Sequence, residues 1–135
     1  MKRLFILGTV LAIAVGNAEA KSIPQDAQPL SDAEQIELMS GKEIKGTFYN
    51  KSGKKAGTFT SEWNSDGVKK TSLTPTGQKT QSKTLKWYVK NGQFCDQSYR
   101  TEKYVCGTKG QWFKAGGTCF VTQGDKKTIS TEFGC

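Results

Sequence analysis

The chain has 135 residues, with 20 Lys or Arg against 12 Asp or Glu, and a net charge of +8 at neutral pH. It has four cysteines and no histidine. The missing histidine removes the Ser-His-Asp and Cys-His nucleophile arrangements, and the sequence holds no phosphate loop and no dinucleotide fingerprint.

Taken in chain order, residues 1–20 read as a secretory signal. Lys2 and Arg3 give a positive start, Leu4 to Val15 is almost wholly apolar, and Ala18-Glu19-Ala20 supplies a small-x-small cleavage pattern. The apolar run is shorter than the roughly 20 residues a membrane-spanning helix needs. No second such run follows, so no integral span is expected after cleavage. The address implied is periplasmic or secreted. The 115 residues that follow Ala20 suit a single domain.

Residues 21–40 form a lead-in and a short helix. Pro24 and Pro29 mark a flexible stretch. Ser31 is placed to cap a helix, with Glu34 three residues later completing a capping box. Asp32 and Glu34 suit the positive helix start, Ile36 and Met39 give it one apolar edge, and Gly41 ends it.

From residue 41 to 135 the texture is β. Ile44, Gly46 and Phe48 alternate with Lys45, Thr47 and Tyr49. After a polar loop, Phe59 and Trp63 share a face. Asp66-Gly67 reads as a two-residue hairpin turn, followed by a weak strand from Val68 to Leu73. Pro75 and Gly77 turn the chain. Leu85, Trp87 and Val89 then alternate with Lys86, Tyr88 and Lys90, up to a second hairpin turn at Asn91-Gly92. Five shorter strands follow over Phe94–Tyr99, Tyr104–Cys106, Gln111–Lys114, Thr118–Gln123 and Lys126–Phe133. The fold class expected is mainly β: a small antiparallel barrel or sandwich built as a meander, with one short N-terminal helix.

Cys95, Cys106, Cys119 and Cys135 all lie in the last third. An even count in an exported chain predicts two disulfides, with three pairings open. Zinc is disfavoured, because no Cys-x-x-Cys pair exists. No metal and no cofactor are expected.

The charge is concentrated. Residues 41–135 hold 17 basic and 7 acidic side chains, a net +10. Such a domain is drawn to anionic polymers or surfaces. Three lysine clusters stand out: Lys51, Lys54 and Lys55 in one loop, Lys69 and Lys70 beside a turn, and Lys126 and Lys127 at the last hairpin. Each reads first as a solvated hairpin tip; gathered at one end they would make a cationic rim. Lys86, Tyr88 and Lys90 form a row on the expected outer face. Core packing is the ordinary reading of the Phe and Trp residues, Trp112 included; Tyr49, Tyr99 and Trp112 are the further candidates if a ring is exposed. Arg100 is the one arginine after Ala20, which argues against bidentate readout of phosphates or bases, so nucleic acid is disfavoured. Among the acids, Glu62 and Asp66 are the pair weighed for carboxylate chemistry. Solvated surface acids are the ordinary reading of both.

Two segments carry a family likeness. Gly41-Lys42-Glu43-Ile44-Lys45-Gly46 and Trp87-Tyr88-Val89-Lys90-Asn91-Gly92-Gln93-Phe94-Cys95 resemble elements of small exported proteobacterial proteins of a domain-of-unknown-function family. The resemblance implies an exported β-domain and brings no catalytic residue. Periplasmic lysozyme inhibitors, also small disulfide-bearing β-barrels, are a weaker match, since their inhibitory loop is not evident and a +10 domain is repelled by cationic lysozymes.

The reading is therefore a non-catalytic envelope protein that contacts an anionic envelope polymer or an envelope protein through Lys54, Lys55 and neighbouring loop lysines, and through Lys86, Tyr88 and Lys90. The alternative is an inhibitor or accessory subunit of an envelope enzyme.

Overall fold

A computed structural model describes residues 21–107, 110–124 and 126–135. The proposed signal segment lies outside the described residues.

The elements in chain order are β1 (Gln28–Pro29), α1 (Asp32–Met39), β2 (Glu43–Tyr49), β3 (Lys55–Trp63), β4 (Val68–Pro75), β5 (Gln81–Lys90), β6 (Gln93–Gln97), β7 (Tyr104–Cys106), β8 (Trp112–Ala115), β9 (Thr118–Thr122) and β10 (Ile129–Gly134). All ten strands join one antiparallel sheet in the order β1-β8-β9-β10-β2-β3-β4-β5-β6-β7. Two meanders, β2–β7 and β8–β10, are thus stitched together by β10 lying against β2. No ladder joins β7 back to β1, so the sheet curls over without closing into a barrel. The arrangement is sandwich-like. Trp87 and Phe94 from one arm meet Trp112, Cys119, Val121 and Phe133 from the other in a single cluster, with Met39 of α1 among them.

The helix forms where local chemistry dictates. The Ser31 hydroxyl accepts from the Glu34 N–H at 3.2 Å, and the Glu34 carboxylate accepts from the Ser31 N–H at 2.9 Å. Two otherwise orphaned donors are satisfied reciprocally. Met39 is buried, and Leu30, Ile36 and Leu38 pack partly against the core. Ser31→Ala should cost about 1 kcal/mol in urea unfolding; a loss below a few tenths would mean that tertiary packing alone holds the helix.

The lead-in is not the loose segment its prolines suggest. Ser22 bridges Thr128, β1 pairs with β8, and the Leu30 N–H donates to the Trp112 carbonyl at 2.8 Å. Residues 21–30 therefore form part of the sheet margin.

Aromatic packing organises the core. Trp63, Trp87 and Phe94 form a cluster with ring centroids 4.5–6.1 Å apart, and Trp112 meets Phe133 edge-on at 5.7 Å. The Trp87 indole N–H donates to the Asn64 carbonyl at 2.9 Å. Gly46 sits where no side chain fits: a Cβ there would lie 2.1 Å from the Glu132 carbonyl oxygen. That close approach lets β10 insert beside β2. In segments 41–46 and 87–95, Ile44, Gly46, Trp87, Phe94 and Cys95 thus serve the fold.

One turn departs from expectation, with consequences for a charge. Asn91-Gly92 is a two-residue hairpin, both residues at positive φ, with Lys90 opposite Gln93. The Asp66-Gly67 hairpin instead has three loop residues: Asn64 closes on Val68, and only Gly67 has positive φ. A two-residue loop would pair Asn64 with Lys69 and turn Lys69 outward. The extra residue pairs Trp63 with Lys69, and a one-residue slip moves every side chain to the other face. Lys69 therefore points into the core and is 7 % exposed.

The disulfides are Cys95–Cys106 and Cys119–Cys135. The first joins directly opposed residues of β6 and β7. The second ties β9 to the residue just after β10.

Candidate functional site

The two weighed carboxylates serve different parts of the fold. Asp66 accepts from the Val68 N–H at 3.0 Å and serves its turn. Glu62 lies on the outer face, opposite Glu43 on one side and Lys70 on the other. No group of three or more metal-capable acids or cysteines occurs among the described residues.

The lysine clusters sort by the ends of the sheet. Antiparallel pairing places the β2–β3 loop, the β4–β5 turn and the β9–β10 loop at one end. The first loop is braced by Asn50, whose side-chain oxygen accepts from Ser52 N, Ser52 Oγ and Lys54 N at 2.6–3.0 Å. Gln123 then donates its side-chain N–H to the Asn50 carbonyl at 2.9 Å, fastening the β9–β10 loop to it. Lys51, Lys54, Lys55, Lys79, Lys126 and Lys127 are all exposed there. None of the six forms an ion pair among the described residues. One acid, Asp125, falls in these loops, and it lies outside the described residues. Lys79 was missed in the sequence because it stands alone in its turn; only the strand order brings it to the others.

Lys69 and Lys70 do not belong to this end. Lys69 is no solvated tip lysine. Its ammonium donates to Asp96 Oδ2 at 2.6 Å and lies 4.3 Å from the Trp63 ring centroid, so burial is offset by an ion pair and a cation–π contact. Lys70 is exposed on the outer face.

Lys86, Tyr88 and Lys90 are exposed on the outer face of β5, as their alternation suggests. They lie at the opposite end from Lys54 and Lys55. The nine residues of β3, Lys55 to Trp63, separate the two levels and span roughly 26 Å of strand. The sequence-predicted binding residues therefore fall into two places. Of the other candidate rings, Trp112 packs in the core, as aromatics ordinarily do, and is not an exposed ring. Tyr99 is half-buried beneath the Lys83 ammonium, 4.9 Å from its ring centroid. Tyr49 is half-buried and donates its hydroxyl to Glu132 at 2.8 Å. The second exposed ring is Tyr104 of β7, whose centroid is 5.1 Å from that of Tyr88.

Glu132 also accepts from the Lys21 ammonium. Burial pushes its carboxyl pKa up, but hydrogen bonds from Lys21 and Tyr49 outweigh that and hold it below the ordinary value of 4.5. The hydrogen bond to Glu132 raises Lys21 above its usual 10.5, against a smaller opposing effect of burial. Burial, then the bond to Glu132, raise Tyr49 above 10.0. A depressed carboxyl stabilises the fold above its unfolded value and loses that contribution as pH falls through the folded one. The Lys21–Glu132 pair is partly exposed, so screening keeps its worth below about 1 kcal/mol. Glu132→Gln should therefore show a smaller fall in melting temperature between neutral pH and about pH 3 than the parent, by roughly 1–3 °C. An identical fall in both would remove Glu132 from the acid response.

Comparison with known protein families, with curated proteins and with solved structures finds no match for this chain.

Proposed function

We propose that the protein is a non-catalytic binding protein of a bacterial envelope, periplasmic or secreted, which holds an anionic envelope polymer against its lysine-rich end. One observation carries the reading: six exposed lysines on three neighbouring hairpin tips, none of them ion-paired among the described residues. Clustered like charges of this kind raise the local concentration of a polyanion and speed its capture. Lysines rather than arginines suit a partner recognised as a line of charge and not by fixed planar geometry.

The test uses the oxidised protein starting at Lys21, co-sedimented with outer-membrane vesicles across a salt series. Binding should fade as salt rises. Replacing Lys51, Lys54, Lys55, Lys79, Lys126 and Lys127 with Gln should weaken it by about tenfold or more while the melting temperature moves by no more than about 2 °C. Equal binding by this variant would overturn the reading.

A further inference from the structure

The end of the molecule away from the lysine tips has a different character. Four exposed large hydrophobic side chains are found among the described residues, Tyr88, Val89, Tyr104 and Val105, at 41–46 % exposure. All four lie on β5 and β7. Tyr88 and Tyr104 pair on the outer face, while the alternation of each strand turns Val89 and Val105 to the other side. Such a concentration marks an interaction site more often than chance exposure.

β7 is also an edge of the sheet. The Ser98 N–H donates to Lys103 and the Gly107 N–H to Phe94, so the bonded pairs alternate through 98/103, 96/105 and 94/107. By that alternation the Val105 N–H and C=O face β6, and those of Tyr104 and Cys106 face the open side. The Cys95–Cys106 disulfide pins this edge directly to its neighbour, so the strand is held extended before any partner arrives. The opposite edge differs. β1 is two residues long and contains Pro29, which has no N–H to offer.

The charge around the edge selects the partner. Lys86, Lys90, Arg100 and Lys103 are exposed and unpaired among the described residues. The nearby acids are engaged elsewhere, Asp96 with Lys69 and Glu102 with Lys83. Two copies of this edge would oppose like charges.

We infer that β7 is a docking edge for an extended acidic segment of a partner protein, which adds as an eleventh strand beside Tyr104 and Cys106. Main-chain hydrogen bonds would supply affinity, and the Tyr88–Tyr104 pair on one face with the valines on the other would choose alternate side chains. This inference is independent of the polymer-binding reading, because the two surfaces lie at opposite ends.

The test follows backbone amides by NMR while a capped peptide of alternating Glu and Val is added, with a Lys-Val peptide as control. Saturable binding of the acidic peptide should shift β7 resonances. It should slow hydrogen exchange at Tyr104 and Cys106, and leave Val105, already bonded to β6, nearly unchanged. Tyr104→Pro removes one outward N–H without touching the β6 ladder, and should weaken peptide binding by about tenfold or more while vesicle binding persists. If that variant fails to fold, the alternating exchange pattern in the parent decides. No saturable binding up to about 1 mM, equal binding of the Lys-Val peptide, shifts confined to the lysine tips, or a concentration-dependent dimer through β7 would each overturn it.

Discussion

Replacing Cys119 and Cys135 together by Ala should lower stability by roughly 3 kcal/mol, or about 10 °C in melting temperature. The bridge spans a sequence separation of 16 residues, and a loop of that size restricts the unfolded chain by about that amount. Cys119 is fully buried in the core cluster, and Cys135 packs partly against it. Beyond the bridge, β9 and β10 are held by a ladder that ends at Gly134 opposite Thr118. The loss should appear as one cooperative transition, because β10 also pairs with β2. The double Ala variant of Cys95 and Cys106 should lose less, since that pair lies at the sheet edge and closes a shorter separation of 11 residues. Scanning calorimetry of both variants checks the order. A shift below about 1 kcal/mol for the Cys119–Cys135 variant would mean that packing alone holds these strands.

The second large effect concerns Lys69. Asp96→Ala should cost about 3 kcal/mol, because it leaves an ammonium in the core with the Trp63 ring as its remaining partner among the described residues. Its side chain is 9 % exposed, whereas that of Asp96 is 24 % exposed. Water reaches the acid more easily than the base, so the cost should fall at the lower end of what breaking a buried pair incurs. Adding Lys69→Met should recover most of the loss, since an unbranched apolar chain of similar length fills the same space. Urea midpoints at unchanged slope would read both steps. Failure of the second substitution to rescue would show that the cation–π contact, and not the uncompensated charge, dominates.

What the sequence made legible was local. The capping box at Ser31, the turn at Asn91-Gly92 and the alternation through Leu85 and Trp87 are each specified by residues within a few positions of one another, and each stands in the structure. The mainly β, disulfide-bearing fold follows from these signals added together. What escaped depends on distance or on register. The pairing of four cysteines needs the strand order. Lys69 reads as surface by residue type, and only the third loop residue before Val68 turns it inward. Which of the two readings holds for Trp112, core or exposed ring, is decided only when β8 is placed against β9, with Trp112 opposite Val121 in the core. The lysine tips could be counted in advance, yet their gathering at one end rests on β10 lying beside β2, which no local pattern announces.

That same placement of β10 has a kinetic side. The strand that joins the two meanders comes last in the chain order, and its partner β2 comes near the start, with Thr131 opposite Phe48. Closing so long a loop before its contacts repay the entropy is slow. The β2–β7 meander can form its hairpins early, but β2 keeps a bare flank until β10 arrives. Clipping the last seven residues would therefore be no trimming of a tail. It would unzip the sheet through its middle, leaving two half-sheets with raw edges prone to pair with other chains.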